Sequence, residues 1–129
     1  FLTETIDRLC LQDTEAIHGR AEDIGRDGDY REKSDICVSR AVADLRVLSE
    51  YCLPFVKVGG TFVSYKGRDV TDEVKASENA IAKLGGKLEN VVSFELPGGD
   101  DRNLVVIRKI SQTPPTYPRK AGTPMKKPL

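Results

Sequence analysis

Residues 35–54, DICVSRAVADLRVLSEYCLP, contain the pattern on which the fold prediction depends. Residues 35–39 are a short apolar run bounded by charged residues, which is typical of a strand buried in a parallel sheet. The segment after it carries apolar residues at helical spacing, namely Val42, Leu45, Leu48 and Cys52. Pro54 should end this helix at about Leu53, because its ring disfavours a helical conformation of the preceding residue. A buried strand followed by an amphipathic helix indicates an α/β protein.

Two elements are predicted before this strand. Residues 2–11 carry apolar side chains at helical spacing and predict a helix that ends near Leu11. These side chains are Leu2, Ile6, Leu9 and Cys10. Residues 15–20 form a short segment centred on Ile17 and predict a second strand.

The alternation continues after Pro54. Residues 57–60 (KVGG) predict a turn, and residues 61–65 (TFVSY) are rich in residues that favour strands. A further helix face follows and consists of Val70, Val74, Ile81 and Leu84. Gly85 and Gly86 should end that helix.

The last predicted unit of the body is a hairpin. Residues 91–96 and 104–110 read as strands, and residues 97–103 between them form a polar loop with two glycines. Strands alternating with helices and a terminal hairpin predict an α/β sheet that is mostly parallel, with one antiparallel strand.

Residues 111–129 differ in composition from the rest of the chain. They hold five of the seven prolines and four basic residues but no acid, which gives this segment a charge of +4 and the remaining 110 residues −4. Because proline lacks an N–H and fixes φ, we expect an extended tail, in places polyproline II, without a helix or an inner strand. The sequence thus predicts two regions, a body at residues 1–110 and a basic tail at residues 111–129.

Composition excludes several classes of protein. The 20 basic and 20 acidic residues balance, so the chain is neither a uniformly basic binder nor an acidic disordered tail. The three cysteines are widely spaced without a C-x-x-C pair, which favours free thiols in a reducing cytoplasm over a zinc site or disulfides. The single histidine, His18, has no recognisable partner motif, and no nucleophile–base set typical of a hydrolase is present. No apolar run approaches the ~20 residues that cross a bilayer.

Four strings indicate a family. They are Arg-Ala-Glu at residues 20–22, Ser-Arg-Ala-Val at 39–42, Tyr-Lys-Gly at 65–67, and TPPTYPRKAGTPMKKPL at 113–129. Together they resemble the 16S ribosomal RNA guanine-N7 methyltransferase family, also called glucose-inhibited division protein B. The resemblance covers essentially the whole chain, and the tail is its most specific string.

The resemblance implies an enzyme, its cofactor and its substrate. The chain resembles the C-terminal half of a class I, Rossmann-like methyltransferase, which would use S-adenosyl-L-methionine to methylate guanine N7 in 16S ribosomal RNA. The family's glycine-rich cofactor loop would lie before Phe1, so we expect the isolated chain to be inactive. The family's first two strands would lie between the predicted strands at 15–20 and 35–39. Without them, we expect self-association through unpaired strand edges.

The resemblance also assigns residues to the cofactor. Ala21 and Glu22 match the family pair beside the adenine and ribose, and Arg40 matches an arginine that lines the pocket. From the residues alone, Arg40 could instead form a salt bridge to Glu22 or Asp44. No catalytic residue is assigned, because guanine N7 carries a lone pair and no proton at neutral pH and needs no general base.

The predicted RNA contacts are cations, and the predicted partner is 16S ribosomal RNA or the small-subunit particle. Lys66 is one candidate because it ends a predicted strand on the same rim as Arg40. The others lie in the tail and are Arg119, Lys120, Lys126 and Lys127. Two alternatives stay open: the tail could be strapped across the body with its cations merely solvated, and the chain could be a non-catalytic RNA-binding module.

Overall fold

A four-stranded sheet with two helices against one face forms the centre of the computed structural model, which describes residues 1–129. The elements are α1 (Leu2–Arg8), α2 (Ala21–Ile24), β1 (Ser34–Ser39), α3 (Leu45–Cys52), a 3₁₀ helix (Leu53–Phe55), β2 (Val56–Lys66), α4 (Thr71–Lys83), β3 (Gly86–Glu95), β4 (Asp101–Lys109) and α5 (Thr123–Lys126). None of the helices is both long and apolar enough to cross a membrane.

The strand order is β1-β2-β4-β3. β1 and β2 are parallel, and β4 is antiparallel to both of its neighbours, β2 and β3. Strands β1, β2 and β3 therefore run in one direction and β4 alone runs in the other. This arrangement confirms the predicted α/β class with a terminal antiparallel hairpin.

The core lies between one face of the sheet and helices α3 and α4. It comprises Leu45, Leu48, Leu53, Val56, Phe62, Val70, Val74, Ile81, Leu84, Val105 and Ile107. Helix α4 ends where the sequence predicts, because Gly85 has a φ of +85° and a Cβ there would lie 2.2 Å from the Ser111 carbonyl oxygen. Only glycine fits this junction of α4, β3 and the tail.

The opposite face of the sheet is apolar but exposed. The exposed fraction is 64% for Ile36, 63% for Val38, 45% for Tyr65 and 39% for Phe94. The pairing register places these side chains on one face, because Val38 lies beside Val63 and Tyr65 lies opposite Leu104. β1 is also an edge strand, with no neighbour on its outer side.

Two predicted elements are wrong. Residues 15–20 form no strand. A strand needs a neighbour to pair its N–H and C=O groups, and none lies beside this segment. Residues 57–60 form no turn, because β2 runs without interruption from Val56. The pairing with β1 shifts register between Ser34 and Ile36. There a Cβ on Gly60 would lie 2.7 Å from the Asp35 carbonyl oxygen, so the glycine permits close approach of the two backbones.

The helix predicted from Val42 begins later. Asp44 caps α3 by accepting a hydrogen bond from the Arg46 N–H at 2.9 Å, and Val42 lies fully exposed in the preceding loop. The expected end of the helix is confirmed, since α3 stops at Cys52. The hairpin is confirmed with longer strands and a shorter loop than predicted.

The tail contains a helix that the sequence analysis excluded. α5 is four residues long, and Pro124 lies in its first turn, where a missing N–H breaks no helical hydrogen bond. The rest of the tail has no regular structure. The tail lies against the body, with Thr113, Pro118 and, in α5, Pro124 buried.

Candidate functional site

A cleft of about 1070 Å³ opens at the carboxyl ends of β1 and β2. Its floor is the loop at residues 40–44 that joins β1 to α3, and its walls come from the end of β2 and from the β3–β4 hairpin. Ligands of open α/β sheets bind outside the carboxyl ends of parallel strands. The cleft thus occupies the position where a binding site is expected.

Arg40 is the first residue after β1 and is exposed in this cleft. It makes no salt bridge and no side-chain hydrogen bond within the chain. The salt bridges considered from the sequence are not formed, because Asp44 pairs with Arg46 at 2.9 Å and Glu22 bonds elsewhere. The Arg46 hydrogen bond also lowers the pKa of Asp44. The Arg40 guanidinium therefore remains free to bind an anionic group.

Lys66 also lines the cleft, but its ammonium is engaged. Its side chain is 10% exposed, and Nζ donates to Glu73 Oε1 at 2.7 Å and to the Ala43 carbonyl oxygen at 2.5 Å. Glu73 Oε1 also accepts the Leu45 N–H at 2.8 Å. Lys66 and Glu73 thus hold the cleft floor against α3, and Lys66 does not offer the free cation that an RNA contact requires.

Ala21 and Glu22 lie in the first turn of α2 and do not line the cleft. Glu22 is only 4% exposed, and its Oε1 accepts the Gly122 N–H at 2.9 Å. Its Oε2 accepts no hydrogen bond within the chain. The structure does not bring this pair together with Arg40, although the resemblance places all three at one cofactor.

The tail cations fall into two groups. Arg119 forms a fork with the buried Glu50, with Nε–Oε1 and Nη2–Oε2 distances of 2.9 and 2.6 Å. Lys120, Lys126 and Lys127 are exposed and form no ion pair. The strapped arrangement that the sequence left open is therefore present, with three cations still facing solvent.

Sequence reasoning missed three residues of the cleft wall. Tyr65 is the last residue but one of β2, and Phe94 and Arg102 lie opposite each other on the β3–β4 hairpin. The hairpin itself was predicted, so pairing its strands outward from the loop would have placed Phe94 beside Arg102. Their proximity to Arg40 depends on the strand order, which local patterns do not contain.

A comparison with protein-family models identifies the group of proteins to which the chain belongs. The model of GidB, described as rRNA small subunit methyltransferase G, matches residues 1–105. The chain belongs to the GidB family. The resemblance found in the sequence is thereby confirmed, and the family is one of rRNA methyltransferases.

Curated relatives of the GidB chain carry the name ribosomal RNA small subunit methyltransferase G. The protein of Acetivibrio thermocellus is 57% identical over 130 residues, and that of Desulforamulus reducens is 55% identical. Both alignments cover all of this chain but only 53% and 54% of the relatives. The chain therefore spans about half the length of the curated relatives it matches.

Solved structures share the fold of the GidB chain. The putative transferase PH0793 of Pyrococcus horikoshii has a TM-score of 0.63 at 14% identity, over 87% of this chain and 44% of that one. TYW2 of M. jannaschii, solved in complex with AdoMet, has a TM-score of 0.59 at 17% identity, over 84% of this chain and 52% of that one. At such identities the likeness shows the fold alone.

Proposed function

We propose that the whole protein to which this chain belongs methylates guanine N7 of 16S ribosomal RNA with S-adenosyl-L-methionine. The observation that carries the proposal is the unpaired Arg40 in a cleft at the carboxyl ends of β1 and β2, in a chain of the GidB family. The substrate is RNA in the cytoplasm, free or in the small-subunit particle.

Arg40 and the lining of the cleft fit the methionine part of S-adenosyl-L-methionine. The Arg40 guanidinium complements the carboxylate of its methionine part, and charge-assisted bonds of this kind are among the stronger hydrogen bonds in proteins. Glu22 is buried and lies outside this cleft; its Oε1 accepts the Gly122 N–H, so Oε2 is the atom that would accept a ribose hydroxyl. Half of the residues lining the cleft are apolar, as in most small-molecule sites. The cofactor supplies an activated methyl group on its sulfonium.

The target base needs positioning rather than deprotonation. Guanine N7 has an in-plane lone pair, so an aligned approach to the methyl group suffices. Tyr65 and Phe94 are exposed aromatic residues in the cleft wall, and such side chains stack on unpaired bases. Arg102 lies across the hairpin from Phe94, and its only ion pair is a long, exposed one to Asp100 at 3.6 Å, which an RNA phosphate can replace.

Three exposed tail lysines extend the proposed RNA surface. Lys120, Lys126 and Lys127 carry no ion pair, so each can contact phosphate. Lys66 and Arg119 are not part of this surface, because Glu73 and Glu50 already neutralise them.

We propose that residues 1–129 self-associate through the edge of the sheet. β1 has an unpaired outer edge, and Ile36 and Val38 on it are more than half exposed. Such an edge can pair with a second copy. In the whole protein, we propose that the additional strands cover this edge and that residues 1–129 alone are inactive.

A methyl-transfer assay tests the proposed function. The whole protein and residues 1–129 are each incubated with small subunits lacking the modification and methyl-labelled cofactor, and nucleosides are then identified by mass spectrometry. We expect 7-methylguanosine with the whole protein only. RNA binding without any methylated nucleoside would favour the non-catalytic RNA-binding module instead.

A further inference from the structure

The tail has no role assigned by the family match, which ends at residue 105. It nevertheless aligns with the curated relatives, whose matches cover the whole chain. Its contacts with the body are specific. They join Arg119 to Glu50, two charged groups that the proposed reaction does not use, and Gly122 to Glu22.

Two buried carboxylates accept hydrogen bonds from one short segment of the tail. Glu50 on α3 is fully buried and accepts both the fork of Arg119 and the Arg119 backbone N–H at 2.8 Å. Glu22 on α2 accepts the N–H of Gly122. Since Arg119 and Gly122 are three residues apart, this segment ties α2 to α3.

Helix α2 is also tied to the tail at its other end. The Arg31 guanidinium donates to the carbonyl oxygen of Gly25, the residue that ends α2, and to those of Thr113 and Tyr117 in the tail, at 2.8 to 3.1 Å. Arg26 Nε donates to the Pro118 carbonyl oxygen at 2.8 Å. The tail therefore contacts the groups around both ends of α2.

A helix of four residues needs such support. Isolated helices shorter than ~12 residues are marginal in water, because few hydrogen bonds repay the ordering of the first turn. α2 has no side-chain N-cap and buries only Glu22. Its position depends on the tail more than on its own sequence.

We propose that the tail is an internal brace that positions α2, and with it Ala21 and Glu22, for the cofactor. This inference rests on the proposed function, in which Glu22 contacts the cofactor, and on the family resemblance, which places Ala21 beside the same ligand. Arg119 and Gly122 are positioning residues, since they act through Glu50 and Glu22. Without the brace, α2 samples other positions, and the apparent cofactor affinity falls by the fraction of time spent in the competent one.

The test uses the whole protein with both charges of one anchor removed. The double variant Glu50→Gln/Arg119→Gln leaves no buried charge unpaired. If α2 is competent for about a tenth of the time, the Kd and KM for S-adenosyl-L-methionine rise about tenfold. We expect kcat and the KM for RNA to stay within about twofold of wild type, since neither the cleft nor the exposed lysines change. Calorimetry and steady-state kinetics measure these quantities.

Two further variants serve as an intermediate case and as a control. Arg119→Lys keeps the charge but loses the fork, so we expect an intermediate rise in cofactor KM; it also serves if the double variant does not fold. Met125→Ala changes an exposed tail side chain and should leave every constant unchanged.

Three outcomes would overturn the brace. An unchanged cofactor affinity with a lowered Tm would make the tail a purely stabilising element. A rise in the KM for RNA alone would make Arg119 part of an RNA arm. If the unaltered whole protein binds no S-adenosyl-L-methionine, the proposed function fails together with the brace, and this is seen before any tail variant is made.

Discussion

Charged residues are used in opposite ways at the cleft and beneath the tail. In the cleft, Arg40 is exposed and has no partner. Beneath the tail, Glu50 and Lys109 are fully buried, and each is paired with an oppositely charged side chain. A buried charge without a partner is strongly unfavourable, so the fold requires these charges to be paired. The pairs therefore have a structural explanation that involves no ligand. An unpaired arginine in a cleft has no such structural explanation and is available for binding.

Lys109 shows the structural use of charge most clearly. Its Nζ donates to the carbonyl oxygens of Leu53 and Val56 at 2.8 and 2.9 Å and lies 3.1 Å from Glu32 Oε1. Burial lowers the pKa of Lys109, and the Glu32 carboxylate counteracts part of that effect. The same carboxylate oxygen accepts the Thr113 N–H, so this network also fixes the start of the tail.

The largest expected effect is loss of this buried cation. Lys109→Met leaves the Leu53 and Val56 carbonyl oxygens without their donor and Glu32 without its cation, and we expect the free energy of unfolding to fall by about 3 kcal/mol. Urea denaturation of the whole protein measures it, with the exposed Lys87→Met as control. A loss below about 1 kcal/mol is what exposed ion pairs give, and it would contradict a structural role for the buried Lys109.

Lys66 separates the effect of pairing from that of location, because it lies in the cleft but is paired with Glu73. If pairing rather than location determines whether a charged side chain stabilises the fold, Lys66→Met should lower the free energy of unfolding by about 1.5 kcal/mol. This value is at the lower end of the range for hydrogen bonds to charged groups. The control is Lys57→Met, which removes an exposed pair with Asp35. RNA affinity that falls while stability stays at the wild-type value would instead make Lys66 a substrate contact.

The exposed tail lysines should affect stability least. Replacing Lys120, Lys126 and Lys127 by Gln should change the free energy of unfolding by less than ~0.5 kcal/mol. If all three contact phosphate, the slope of log RNA affinity against log salt should flatten by about 2 to 3. An unchanged slope would remove these lysines from the RNA surface.

Local sequence patterns predicted the elements better than their contacts. Periodicity located α4, and Pro54 located the end of α3, because both signals lie within one element. The strand expected at residues 15–20 failed because pairing depends on a neighbour that local sequence does not reveal. The pairing of Arg119 with the buried Glu50 could not be predicted, since Glu50 lies 69 residues earlier in the chain. For the same reason the sequence grouped Lys66 and Arg119 with the exposed lysines, although their partners separate them.

The most direct test of a binding role for Arg40 is cofactor binding by the Arg40→Ala variant of the whole protein, measured by calorimetry beside thermal unfolding. Arg8→Ala serves as control, because Arg8 is an exposed arginine on α1 outside the cleft. The loss of a charge-assisted hydrogen bond predicts a roughly tenfold to hundredfold weaker Kd for S-adenosyl-L-methionine, with an unchanged Tm. An unchanged Kd, or a Tm that falls as far as in Lys109→Met, would contradict the claim that the unpaired arginine of the cleft serves function.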